Sequence, residues 1–126
     1  MLRKIEQKLD KKIIFAGRHD FCESVRPILE KEGCKVCFVN CAREFIAMLK
    51  SEKYDLALID FFMLEMSGRE LMEKVKKAEI KRPKFIFMNV AHFGAKGMEE
   101  LRRLGISGYI NDINNENLSK SLNEIR

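Results

Sequence analysis

Five short apolar runs, each followed by a stretch with helical spacing, restrict this chain more than anything else in it. The runs are Lys12–Ala16, Lys35–Val39, Tyr54–Asp60, Lys84–Met88 and Gly108–Asn111. Between and after them, helices are predicted over Asp20–Glu32, Ala42–Ser51, a segment opened by Ser67 and Glu70 and ending near Ala78, Gly97–Leu104, and Asn115–Ile125. Gly33 and Gly105 suit helix stops, because glycine takes the left-handed conformation at a helix end without penalty. Asp20 and Glu23 have capping-box spacing, and Pro27, which has no N–H to donate, is expected to kink its helix. Strands alternating with helices at this spacing imply a parallel sheet with right-handed crossovers and helices on both faces. A length of 126 residues accommodates one such domain and no second. The expected division is a charged lead over residues 1–10 and a single α/β domain over 11–126.

Charge and cysteine content narrow the function classes. The net charge is +5, but lysines and arginines are scattered among glutamates on the predicted helices. No aromatic-interleaved basic stripe accompanies them, so nucleic acid is not an expected partner. The segment from Met1 to Lys12 is too polar for a signal peptide or a membrane span, so a cytoplasmic location with reduced cysteines is expected, and no membrane partner. Cys34, Cys37 and Cys41 suggest a metal or redox cluster by spacing. However, residues three apart on a strand face opposite ways, so neither a metal site nor a disulfide is expected of these thiols, and Cys22, on a helix, is read as a small buried thiol.

The segment Leu58-Ile-Asp60-Phe-Phe62-Met63-Leu64-Glu65-Met66-Ser67-Gly68 places one carboxylate, Asp60, at the end of an apolar strand. In a doubly wound sheet of order 2-1-3-4-5, the ends of strands 1 and 3 flank the ligand crevice, so Ala16, Gly17 and Arg18 should lie beside Asp60. Asp60 is either a solvated strand-end acid or one held by a protein cation. Arg18 suits the second role, because guanidinium pairs with carboxylate in a bidentate fork. His19 and His92 are read as loop histidines, and Asp20 as a helix cap.

With these residues in place, the chain resembles the response-regulator receiver domain, the CheY-like family, from Lys11 to Arg126. The resemblance rests on Asp60-x-x-Met63-x-x-Met66-Ser67-Gly68 and on the intervals to Gly33, Pro83 and Gly108-Tyr109. It implies a flavodoxin-like (βα)5 three-layer sandwich with a five-stranded parallel sheet in order 2-1-3-4-5. It further implies that Asp60 is the phospho-acceptor position. Relatives hold magnesium with an acidic pair ending strand 1, the acceptor and a backbone carbonyl, here that of Phe62. They bind phosphoryl oxygens with a hydroxyl ending strand 4 and a lysine ending strand 5, since phosphoryl transfer depends on positioning and charge neutralisation.

Here the resemblance gives way. The acidic pair falls on Ala16 and Gly17, the hydroxyl on Asn89 (or Met88 with a one-residue slip), and the lysine near Asp112, which is an anion. An inward Asp112 would repel Asp60 by about 4 kcal/mol at a separation near 4 Å. One carboxylate and the Phe62 carbonyl make a poor cage for magnesium, which demands hard oxygen ligands in octahedral array, so no metal or other cofactor is expected.

The sequence therefore suggests an atypical receiver: a non-enzymatic protein-interaction module in two-component signal transduction, bound to a signalling protein or a histidine kinase. Its partner face would surround Tyr109, with Lys96, Arg102 and Arg103 making it basic. Tyr109 reads equally as a tyrosine packed at the edge of the core. A homodimer through the last two helices and strand 5 is a further option. The rival is a working phospho-acceptor, modified at Asp60 by a histidine kinase in the presence of Mg2+. A third class, a small cofactor-binding enzyme, lacks the Gly-rich loop after strand 1 that phosphate binding would use.

Overall fold

The computed structural model describes residues 11–60, 66–88 and 94–110. Five strands run parallel: β1 (Lys12–Ala16), β2 (Lys35–Val39), β3 (Leu56–Asp60), β4 (Lys84–Met88) and β5 (Ile106–Ile110). Their order is β2-β1-β3-β4-β5, as expected for a flavodoxin-like sheet. Among the described residues four helices lie between them: α1 (His19–Lys31), α2 (Ala42–Ser51), α3 (Gly68–Lys77) and α4 (Gly94–Arg103). The expected lead over residues 1–10 and the expected closing helix Asn115–Ile125 lie outside the described residues.

Strand alternation divides the core. Ile14, Ala16, Ala57, Ile59, Phe85 and Phe87 pack on the side of α2 and α3, with Phe45, Leu71 and Val75. Ile13, Phe15, Leu56, Leu58, Ile86 and Met88 pack on the other side, with Cys22, Val25 and Leu29 of α1. Strands buried on both faces read as continuous apolar runs, which is why the sequence shows them so plainly. Period two also fixes the next residue of β3: after Leu56 and Leu58, Asp60 points to the α1 side. Burial pushes the Cys22 thiol up to about 11, as suits a small apolar filler rather than a reactive thiol.

Helix ends follow local chemistry, with one correction. Ser67 and Glu70 form the expected capping box at the start of α3, Glu70 N–H donating to Ser67 Oγ at 3.2 Å. Asp20 is not a cap: α1 starts at His19 with Arg18 as its N-cap residue and no side-chain cap bond. The chain turns into the helix immediately after Gly17, so Asp20 falls inside the first turn. There its Oδ1 accepts the N–H of Phe21 at 2.9 Å. Pro27 lies within α1, which runs on to Lys31.

Strand and helix boundaries near the end of the described chain also shift. Helix α4 begins earlier than Gly97, and Gly105, at φ +101°, ends it so sharply that β5 starts at Ile106 rather than Gly108. A bulge then intervenes: Phe85 pairs with Ile106 but Ile86 pairs with Gly108, leaving Ser107 extra. The added residue reverses the alternation, so Ile106 belongs to one core cluster and Ile110 to the other. Strand β3 starts at Leu56 rather than Tyr54. Ahead of it, Asp55 accepts the Lys12 N–H through its carboxylate at 2.7 Å, fastening the entry to β1.

The α3 end uses an uncommon residue. The Ile80 N–H donates to Val75 O at 3.2 Å and the Glu79 N–H to Lys76 O at 3.0 Å, which together make a Schellman ending. Gly33 occupies the matching position after α1, whereas here it is Glu79, at φ +60°. A Cβ in that conformation costs about 1 kcal/mol, so Glu79→Gly is expected to raise the urea midpoint, with a gain of about 0.5–1 kcal/mol.

At the sheet edge, Lys35 N–H donates to Lys11 O and Gly17 N–H to Val39 O, so alternate groups of β2 face β1 and those of Val36 face outward. Arg26 of α1 donates to the Val36 carbonyl at 3.3 Å, and Glu23 holds that guanidinium at 3.0 Å.

Candidate functional site

Parallel pairing brings the ends of β1 and β3 together. Ala16 pairs with Ile59 on one side and Val39 on the other, and Asp60 extends one residue further, opposite Met88. Gly17 therefore lies against Asp60. A Cβ on Gly17 would stand 2.3 Å from Asp60 Cβ, closer than two such atoms approach, so the chain can pass here only as glycine.

Arg18 completes the crevice. From its place at the head of α1, its side chain turns back over Gly17, and its Nε donates to Asp60 Oδ2 at 2.6 Å while Nη2 donates to Oδ1 at 3.3 Å. Its backbone N–H also reaches Oδ2, at 3.4 Å. Asp60 is wholly buried, whereas the arginine side chain is 35% exposed, so the cation seals the carboxylate from solvent. The bond to Asp60 raises the Arg18 pKa against the opposing effect of burial. An aspartate at this depth is tolerated because it is paired and hydrogen-bonded.

Phe21 holds the arginine, a role that motif reading missed. Its ring lies 5.6 Å from the guanidinium carbon and packs at 5.8 Å against Phe15 of β1. The sequence carries a signal for it, since Arg18 and Phe21 are three residues apart at a helix start, where side chains share a face. His19 packs edge-on against Phe38 at 5.5 Å.

These residues do not fit a divalent metal. Ala16 and Gly17 offer no side-chain oxygen, the Cβ direction of Gly17 is filled by Asp60, and both Asp60 oxygens take guanidinium protons. Among the described residues no group of three His, Cys, Asp or Glu side chains could hold a metal ion. The arrangement is an internal ion pair, with a bound cation where an ionic ligand would otherwise balance the acid.

The structure thus brings Ala16, Gly17, Arg18 and Asp60 together. Phe62, Asn89 and Asp112 lie outside the described residues. Tyr109 is on β5 opposite Phe87 and, at 48% exposed, is a large hydrophobic side chain left at the surface. Arg102 and Arg103 are exposed in the last turn of α4, and Lys96 lies in that helix's first turn. Arg103 faces a cavity at the opposite end of the sheet from Asp60. No helix among the described residues is long and apolar enough to cross a membrane.

Comparison with known proteins agrees with this architecture. The family model for the response regulator receiver domain matches residues 13–123. A response regulator receiver protein of Anaeromyxobacter sp. strain Fw109-5 is 26% identical over 94 residues, which are 75% of this chain and 39% of that protein. The chain therefore spans well under half the length of that relative. A two-component response regulator from Clostridium difficile superposes with a TM-score of 0.78 at 20% identity, covering 91% of this chain and 94% of its own. The receiver domain of a sensor histidine kinase from Pseudomonas aeruginosa, whose structure has magnesium coordinated in the active site cleft, gives 0.74 at 17% identity, covering 90% and 95%.

Proposed function

The chain belongs to the response regulator receiver domain family of two-component signalling, and within it we propose a member that works without phosphorylation. It is a non-enzymatic module that recognises a signalling protein, a histidine kinase included, through the surface around the exposed Tyr109. The observation that carries this reading is the Arg18 fork on both Asp60 oxygens. A carboxylate must present a free oxygen to phosphorus, and the charge that builds in the transition state must meet cations around the transferred group. In this chain the cation already sits on the carboxylate. The pair holds the crevice in one state, so the partner surface is set by the fold and not by a modification. A cytoplasmic location and a homodimer through β5 and its neighbouring helices belong to the same reading.

The rival, a working acceptor at Asp60 modified by a histidine kinase in the presence of Mg2+, draws on the carboxylate itself standing at the expected strand end. Beryllofluoride with magnesium separates the two. In a working receiver this phosphoryl mimic docks on the acid and shifts amide resonances around Gly17, Asp60 and Tyr109. In this protein those resonances are expected to stay in place up to millimolar additions. A saturable shift at Gly17 and Asp60 would sink the proposal.

A further inference from the structure

At the end of the sheet opposite Asp60, the last turns of α3 and α4 and the approach to β4 line an open cavity of about 410 Å3. Its floor is apolar: Met72, Val75 and Phe85 are core residues, and Ile80 and Leu104 pack against the same core. Its rim is cationic, with Lys76, Lys81 and Arg103, against one acid among the described residues, Glu79. Lys76 is engaged, donating to the Arg103 carbonyl at 3.4 Å and so offsetting the negative end of α4. Lys81 and Arg103 form no ion pair among the described residues, and neither does Glu79.

We propose that this cavity binds a small amphipathic carboxylate, its apolar body on the Met72–Phe85 floor and its head group between Lys81 and Arg103. The volume falls within the range of pockets that hold small ligands, roughly 300–1,000 Å3, and such pockets combine an apolar lining with a few polar anchors. Charge complementarity selects the head group. Two cations without carboxylate partners stand over buried hydrocarbon, and a neutral or cationic amphiphile would leave them unanswered. Glu79 tunes the site from the other direction, since its carboxylate repels the ligand's. The left-handed backbone at Glu79 keeps that acid on the rim where glycine would be the easier residue.

The test uses the full chain, isotope-labelled, titrated with decanoate below its micelle concentration and, separately, with decanol. Decanoate is expected to shift the Ile80, Leu104 and Gly105 amides saturably, while Gly17 and Tyr109 stay still. The charge-reversed variant Lys81→Glu/Arg103→Glu should weaken binding roughly tenfold or more, and Glu79→Gln should tighten it roughly twofold. Both cations are exposed, so the fold should tolerate their replacement. If the reversed variant does not fold, Lys81→Gln/Arg103→Gln gives the same comparison with a smaller loss. Equal binding of decanol, unchanged affinity in either cation variant, or shifts of the same amides on simple concentration of the protein would each overturn the proposal. The last result would mean that a second copy occupies the cavity, and a response to an acidic peptide but not to decanoate would overturn it in favour of a protein partner.

Discussion

Gly17→Ala is expected to destabilise the domain by about 3 kcal/mol, read as a fall in the urea midpoint with an unchanged slope. The added Cβ would meet Asp60 Cβ at 2.3 Å, and that atom is not the free end of a flexible side chain that can swing aside. Nor can the backbone yield cheaply, because Gly17 N–H is bonded to Val39 O and Ala16 is paired on both sides. Gly108→Ala is the control: nothing lies within 4 Å of its Cβ direction, so its effect should stay within about 0.5 kcal/mol. Gly17→Asp, which restores one acid of the family's pair, should lose at least as much as the alanine variant and gain no magnesium affinity. A stable Gly17→Asp protein that bound magnesium would show that the crevice retains the metal geometry.

Arg18→Ala is expected to cost about 2 kcal/mol. Breaking a buried pair by removing one partner typically costs about 3–5 kcal/mol, because the remaining charge loses its compensation. The figure is lowered here because the guanidinium is 35% exposed and Asp60 keeps other contacts. The distinguishing measurement is the double-mutant cycle with Asp60→Ala. Once the acid is gone, Arg18 should contribute only its stacking on Phe21, so the coupling energy should be about 1–2 kcal/mol. Additive effects would mean that the fork contributes nothing, and with it the proposed locking of the crevice would fall. Arg18→Lys should recover only part of the loss, since an ammonium cannot reproduce two parallel bonds.

Much of the fold was legible because its signals are local or periodic. The apolar runs marked the strands, Gly33 marked the end of α1, and Ser67 with Glu70 marked the start of α3. Asp60 and Arg18 could be placed together because the topology puts the ends of β1 and β3 side by side whatever the loops do. What the sequence concealed depends on contacts made through space. Asp20 satisfied the spacing of a cap, but the helix began at His19, and sequence spacing carries no information on where a turn closes. The bulge at Ser107 sets a polar, exposed residue between Ile106 and Gly108, so the apolar pattern breaks there and the sequence reads β5 as starting at Gly108 although it starts at Ile106. Gly17 read as a metal ligand lost; its role as the residue that leaves room for Asp60 is a matter of 2.3 Å between two residues 43 positions apart in the chain. The cavity beside α3 and α4 has no sequence signature at all, since its lining comes from three separate segments.

The guanidinium of Arg26 over the outward carbonyl of Val36 bears on how copies of this protein can associate. A bare sheet border invites a foreign strand to continue the ladder, and proteins that stay separate blunt that border with charge. Here a cation anchored by Glu23 occupies an acceptor that an incoming strand would need. A strand that added to the sheet beyond β2 would first have to displace that guanidinium, so this border is the less open of the two to pairing by another chain.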